Sequence, residues 1–134
     1  MPGVDFAILC QSAAESQPNM ISLLNGPIDT IKTVKIPFQV PLTLAVRFLW
    51  SLRELGREHR GEIFFQDEDG NQLLKMDFRT TPNRPPDAIK GWRVGSNLII
   101  GFALEIKKAG IFSFEILIDD KEVKSLPLRV KKAK

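Results

Sequence analysis

The residues that come nearest to a chemical site are four aspartates, Asp67, Asp69, Asp119 and Asp120. Asp67-Glu68-Asp69-Gly70-Asn71 offers the spaced side-chain oxygens that hard cations such as calcium require. It stops short of an EF-hand, which needs a third oxygen ligand before the glycine and a closing glutamate at the twelfth position. A C2-type sandwich instead collects aspartates from separate loops, and Asp119-Asp120 would supply the second pair. Calcium-dependent contact with anionic lipid is therefore an alternative reading. The simpler one makes both segments turns, because aspartate and glycine are what tight turns select.

His59 is the only histidine and Cys10 the only cysteine, so neither a zinc site nor a Cys-His nucleophilic pair with further ligands can be assembled. His59, between Glu58 and Arg60, reads as a solvated loop residue. Cys10 reads as a small buried apolar side chain. Gly91-Trp-Arg-Val-Gly95 has glycines but no strand-to-helix context for holding phosphate. Spacing alone does not bring two carboxylates to the separation that glycoside hydrolysis needs. The expectation is a protein without catalytic activity or cofactor.

Trp92 and Arg93 place an aromatic ring beside a cation, a combination common where proteins bind one another. The plainer reading is a tryptophan capping one end of the fold. A platform for polysaccharide around Trp92 is a further alternative. Lys32, Lys35, Lys107 and Lys108 are not interleaved with aromatics, so the pattern of single-strand nucleic-acid binders is missing.

The elements that must carry these residues are strands. In Gly110–Ile118, Phe112, Phe114, Ile116 and Ile118 alternate with Ile111, Ser113, Glu115 and Leu117, the period of two of a pleated strand. Asp119-Asp120-Lys121 turns the chain back into 122–130, forming a hairpin. Val40, Leu42, Leu44, Val46, Phe48 and Trp50 alternate strictly and predict a long central strand. Residues 62–66 and 72–78 form a second hairpin across Asp67–Asn71, with Asp69-Gly70 supplying the positive φ. Leu98, Ile100, Phe102, Leu104 and Ile106 mark another strand, after a proline-rich loop over 80–87.

Weaker signals place a first strand over 4–10, with Val4, Phe6 and Ile8 on one face, and another over 20–24 ended by Asn25-Gly26-Pro27. Residues 14–19 read as a polar loop and 53–60 as a charged one. Residues 29–38 look extended, with a bulge or bend between Ile31 and Val34. The tally is seven to nine short strands separated by turns, which predicts an all-β, single-domain antiparallel β-sandwich, Ig-like or C2-like. The sandwich is expected over 1–130 and a basic tail over 131–134.

At 134 residues with 43% hydrophobic and 26% charged side chains, the chain has the composition of one ordinary domain with a core of its own. The net charge of +3 comes largely from Lys131, Lys132 and Lys134. A lone thiol suits a reducing compartment, so a cytoplasmic location is expected. No apolar run is long enough to span a bilayer as a helix.

The opening Val4-Asp-Phe-Ala-Ile-Leu-Cys10, the Asn25-Gly26 segment, the Pro37-to-Trp50 strand, the hairpin around Asp67-Glu-Asp-Gly70 and the closing Gly110-to-Val130 hairpin together make a pattern. It resembles a family of small bacterial all-β proteins of unknown function. The resemblance spans nearly the whole chain and implies an intracellular, stand-alone sandwich with no catalytic residues to carry over. Lys121 departs from it, since such a hairpin favours glycine there.

Leu49, Phe64, Leu73, Ile99, Ile111 and Leu117 fall opposite the expected core positions. If several share one sheet, they form an apolar patch suited to a protein partner or a second copy; Trp92 and Arg93 join them as candidates. The function expected is a binding or scaffolding module that works through protein–protein contacts.

Overall fold

The computed structural model describes residues 2–133. Its strands are β1 (Gly3–Cys10), β2 (Ser12–Gln17), β3 (Met20–Leu24), β4 (Thr30–Thr33), β5 (Phe38–Trp50), β6 (His59–Asp67), β7 (Gln72–Thr80), β8 (Val94–Ile106), β9 (Gly110–Ile118) and β10 (Lys121–Lys132), with one 3-10 turn over Leu52–Glu54. No helix among the described residues is long and apolar enough to cross a membrane.

A three-stranded sheet in the order β1-β5-β8 packs on a five-stranded sheet in the order β4-β10-β9-β6-β7. Every pairing is antiparallel except that of β10 with β4. The alternation in β5, β8 and β9 has the physical consequence it predicts. Leu44, Phe48 and Trp50 of one sheet and Ile63, Phe65, Phe114 and Ile116 of the other are all sealed from water. Burial of each such side chain is worth about 1.5–3 kcal/mol. Phe65 stacks on Phe112 at 5.2 Å, and Phe102 crosses between the sheets to meet Phe114 at 5.6 Å. Trp50 satisfies its indole N–H by donating to Ser96 Oγ at 2.7 Å.

Ten strands exceed the expected seven to nine, and the additional one is β2. Residues 12–17 are not loop; they pair with β3 in a two-stranded ribbon around Pro18-Asn19, where Asn19 takes a φ of 65°. The ribbon lies on the outer face of the three-stranded sheet, touching β5 and β8. Most of its side chains face solvent, so its composition is polar and resembles that of a loop.

Three further expectations shift. In β1 the register slips between Val4 and Phe6, so Val4, Ala7 and Leu9 face the core while Phe6 and Ile8 face the ribbon side. One extra residue in a strand moves everything after it to the opposite face. The expected bend after Ile31 is present, since Ile31 packs on the core and Val34 is exposed. Finally, β10 runs past Val130, with Lys131 and Lys132 paired to Lys32 and Thr33 of β4.

Candidate binding surfaces

The four aspartates do not converge. Asp119 binds the amide of Arg60 at the start of β6, and Asp67 closes the far end of the same strand. At about 3.4 Å per residue that is on the order of 24 Å. Asp67 is consumed locally. Its Oδ1 accepts from the amides of Asp69 at 3.0 Å and Asn71 at 2.9 Å, and Oδ2 accepts from Asn71 Nδ2 at 3.1 Å. The two contacts from Asn71, outweighing desolvation, hold the Asp67 carboxyl below its ordinary range. Gly70, at φ 83°, supplies the positive φ expected of this turn.

The other pair forms a two-residue turn with φ values of 50° at Asp119 and 67° at Asp120, the signs of a type I′ hairpin. The glycine-favouring positions are therefore the aspartates themselves. Lys121 is already in β10, paired with Ile118.

His59 is not a solvated loop residue. It is 5% exposed and packs on Trp50 with 4.6 Å between ring centroids. Nδ1 lies 2.7 Å from Asp119 Oδ2, and Nε2 lies 2.8 Å from the Glu54 carbonyl. Both partners are acceptors, so the form of the ring that satisfies both is the doubly protonated one. Burial disfavours that charge. The hydrogen bonds to Asp119 and Glu54, with the Asp119 charge, outweigh it and raise the pKa. The cluster clasps the 3-10 turn, the start of β6 and the β9–β10 turn together. Cys10 is buried as expected, which raises its thiol pKa.

The apolar residues outside the core divide between two faces. Phe64, Ile111 and Leu117 share the outer face of the five-stranded sheet, where Lys75 Nζ lies 5.7 Å from the Phe64 ring centroid. Glu115 sits among them, its Oε1 accepting from Ser113 at 2.8 Å and Ser125 at 2.9 Å. Leu49 and Ile99 are half-buried on the opposite side of the molecule, on the outer face of the three-stranded sheet. Ala45, facing the same way between Ile8 and Ile99, has no exposure at all. β2 of the ribbon lies against this side of β5 and β8. Leu73 joins neither face; the slip between Phe65 and Gln66 leaves it 49% exposed beside a cleft. Trp92 is 69% exposed and caps nothing. Arg93 reaches back to occupy the space beside Gly3, next to Leu49.

That cleft, of about 620 Å³, opens along the seam between β7 and β8. Phe65, Leu74 and Leu104 form its floor, and Asp67, Lys107 and Lys108 stand on its rim. It adjoins the feature that reading for faces missed, the edges. An unpaired strand edge invites pairing with another chain, and proteins blunt it with shortness, bulges or charge. Here β4 has four residues, β1 is bulged at Asp5, and β7 is bulged and carries Lys75, Asp77 and Arg79. The thirteen-residue β8 has none of these protections; its pairing with β5 is unbroken and its one charge is Glu105. The sequence signal was the stretch from Val94 to Leu104 without charge or proline.

The model of DUF6941, a family of unknown function, matches residues 5–131. The chain belongs to that family. No curated protein matches the DUF6941 chain. Among solved structures, the C-terminal domain of wzt superposes with a TM-score of 0.50 at 12% identity, covering 99% of this chain and 75% of that one. This is a likeness of fold. An immunoglobulin-like protein from Pseudomonas aeruginosa, PA1606, gives 0.49 at 8% identity, covering 98% and 97%. The Pseudomonas fluorescens alkylpurine DNA glycosylase AlkC, bound to DNA containing an abasic site analog, gives 0.48 at 7% identity. The DUF6941 chain is covered over 97% of its length and spans only 30% of the glycosylase.

Proposed function

We propose that this DUF6941 chain is a non-catalytic protein-binding module of the cytoplasm that takes up an extended segment of its partner as an added strand on β8. The observation that carries the reading is the contrast among edges, since only β8 combines length, unbroken regularity and near absence of charge. In strand addition the main chain supplies affinity and pockets beside the edge supply selectivity. The seam cleft, with its apolar floor and a rim of mixed charge from Asp67, Glu105, Lys107 and Lys108, is placed to take a side chain of the incoming segment.

The test is affinity co-purification of the tagged chain from its native lysate, run beside Gly101→Pro and Gly101→Ala. Proline removes an amide donor from the edge, and alanine keeps it. Proteins retained by the alanine variant and lost by the proline variant support strand addition. Equal retention by all three chains rejects it. Leu117→Glu serves as a second comparison, because the outer apolar face, where Ile111 is exposed and Phe64 and Leu117 are half-buried, is the alternative surface. A partner lost there and kept by Gly101→Pro assigns binding to that face.

A further inference from the structure

The direction of each backbone group along β8 follows from contacts elsewhere in its sheet. The Leu9 carbonyl accepts from the amide of Ile28, so Leu9 faces away from β5. Backbone groups alternate sides along a strand, so Cys10 faces β5 and its opposite residue Thr43 faces β1. Leu44 then faces β8, and Ile100, opposite Leu44, faces back to β5. The odd-numbered residues from 95 to 105 therefore turn their N–H and C=O groups outward. They are also the residues whose side chains lie on the ribbon-bearing face.

From this arrangement we propose that β8 takes the β8 strand of a second copy of this chain, antiparallel and centred on Ile100. The inference rests on the strand-addition reading and names its partner. Centring on Ile100 sets odd residues opposite odd residues, so every outward donor meets an outward acceptor. Ile99 pairs with the partner's Gly101, and Asn97 with the partner's Ala103. Such a two-fold contact is self-complementary and closes after two copies. It joins the two three-stranded sheets into one of six strands.

Charge favours the same register. The only ionised side chain on the strand, Glu105, comes to stand opposite the partner's Gly95. Gly95 has no side chain, and the Arg47 guanidinium occupies the space one would take. Arg47 is fixed there by Asp5 at 3.4 Å and by donation to Asn97 Oδ1 at 3.2 Å. Each copy thus presents a carboxylate to a guanidinium already in position, twice across the two-fold axis, and no like charges meet on the paired strands.

The experiment is sedimentation equilibrium of the full chain from low to high micromolar concentration, combined with hydrogen exchange read residue by residue. A dimer is expected, with the amides of the odd residues 95–105 gaining protection as concentration rises. Gly101→Ala should still dimerise, and Gly101→Pro should not. Glu105→Arg changes an exposed side chain and should leave melting unaltered at concentrations where the chain is monomeric, while weakening the dimer at least about tenfold. A monomer at every concentration overturns the proposal. So does a dimer whose β8 amides stay unprotected, or one indifferent to Glu105→Arg. A monomer whose lysate capture still depends on Gly101 overturns self-pairing and leaves strand addition standing. A monomer whose capture ignores Gly101→Pro removes both.

Discussion

His59 and Asp119 hold each other 2.7 Å apart across sixty residues of chain, the histidine sealed from water and the aspartate half in solvent. The pair joins the entry of β6 to the turn after β9, two places that strand pairing alone brings near but does not lock.

This pair makes stability depend on pH from both sides. The pKa of His59 is raised in the folded chain, so its contribution is complete below its unfolded value and disappears as pH rises through the higher folded one. Asp119 behaves oppositely. Burial works against its charge, but the His59 and Arg60 hydrogen bonds lower its pKa overall. Its contribution is present above the unfolded value and lost as pH falls through the folded one. Maximal support from the pair is expected between about pH 4 and 6.5, the unfolded values of the two groups. Thermal melts across pH should show the alkaline decline in the native chain and a flatter profile in His59→Gln.

Asp120→Gly should stabilise the fold by about 0.5–1 kcal/mol. Asp120 holds a φ of 67°, a conformation that costs a residue with a Cβ and not glycine. Denaturant midpoints of the two chains check this, with an unchanged slope showing that only stability moved.

Asp67→Ala should destabilise the fold, seen as a lower denaturant midpoint, because two amides and the Asn71 side chain lose their acceptor and the turn loses its closure. Calcium is the matching control. Since Asp67 and Asp69 stand at the opposite end of β6 from Asp119 and Asp120, millimolar calcium should leave the melting temperature of the native chain unchanged.

Ala45→Glu should cost more than about 3 kcal/mol, although Ala45 points away from the core between the sheets. Its side chain is wholly buried, so an introduced carboxylate loses its water, and Arg47, the cation on the same face, is already engaged by Asp5 and Asn97. A loss below about 1 kcal/mol in chemical denaturation would show that the ribbon lifts away readily.

The sandwich was legible because β5, β8 and β9 are central or long enough for burial to impose strict alternation, and their core residues are those the alternation marks. Legibility failed where burial on one side does not govern the residues. The register of β1 turns on a single extra residue near Asp5, which no side-chain type announces. β2 is polar because one side of its ribbon is wet, so Ala14–Asn19 carries loop-like residues in an extended backbone. His59 has charged sequence neighbours but buried spatial ones, Trp50 and Asp119, which only the assembled turns bring to it. The candidate surface was half visible. Ile99 and Leu117 were readable as apolar residues off the core, whereas the free edge of β8 and the meeting of Arg47 with Gly95 depend on strand order.

The parallel pairing of β4 with β10 has a consequence for synthesis. Thr30 waits for Arg129, a partner roughly a hundred residues later, and such distant closures slow folding. At about 5–20 residues per second, a ribosome leaves β4 without its neighbour for about 5–20 s after making it. At the end of that interval β9, too, lacks β10 along one side, for roughly 1–3 s at the same rate. The nascent chain therefore holds the β9 edge of its five-stranded sheet open until the last strand emerges, and this is the stage at which holding chaperones would matter to it most.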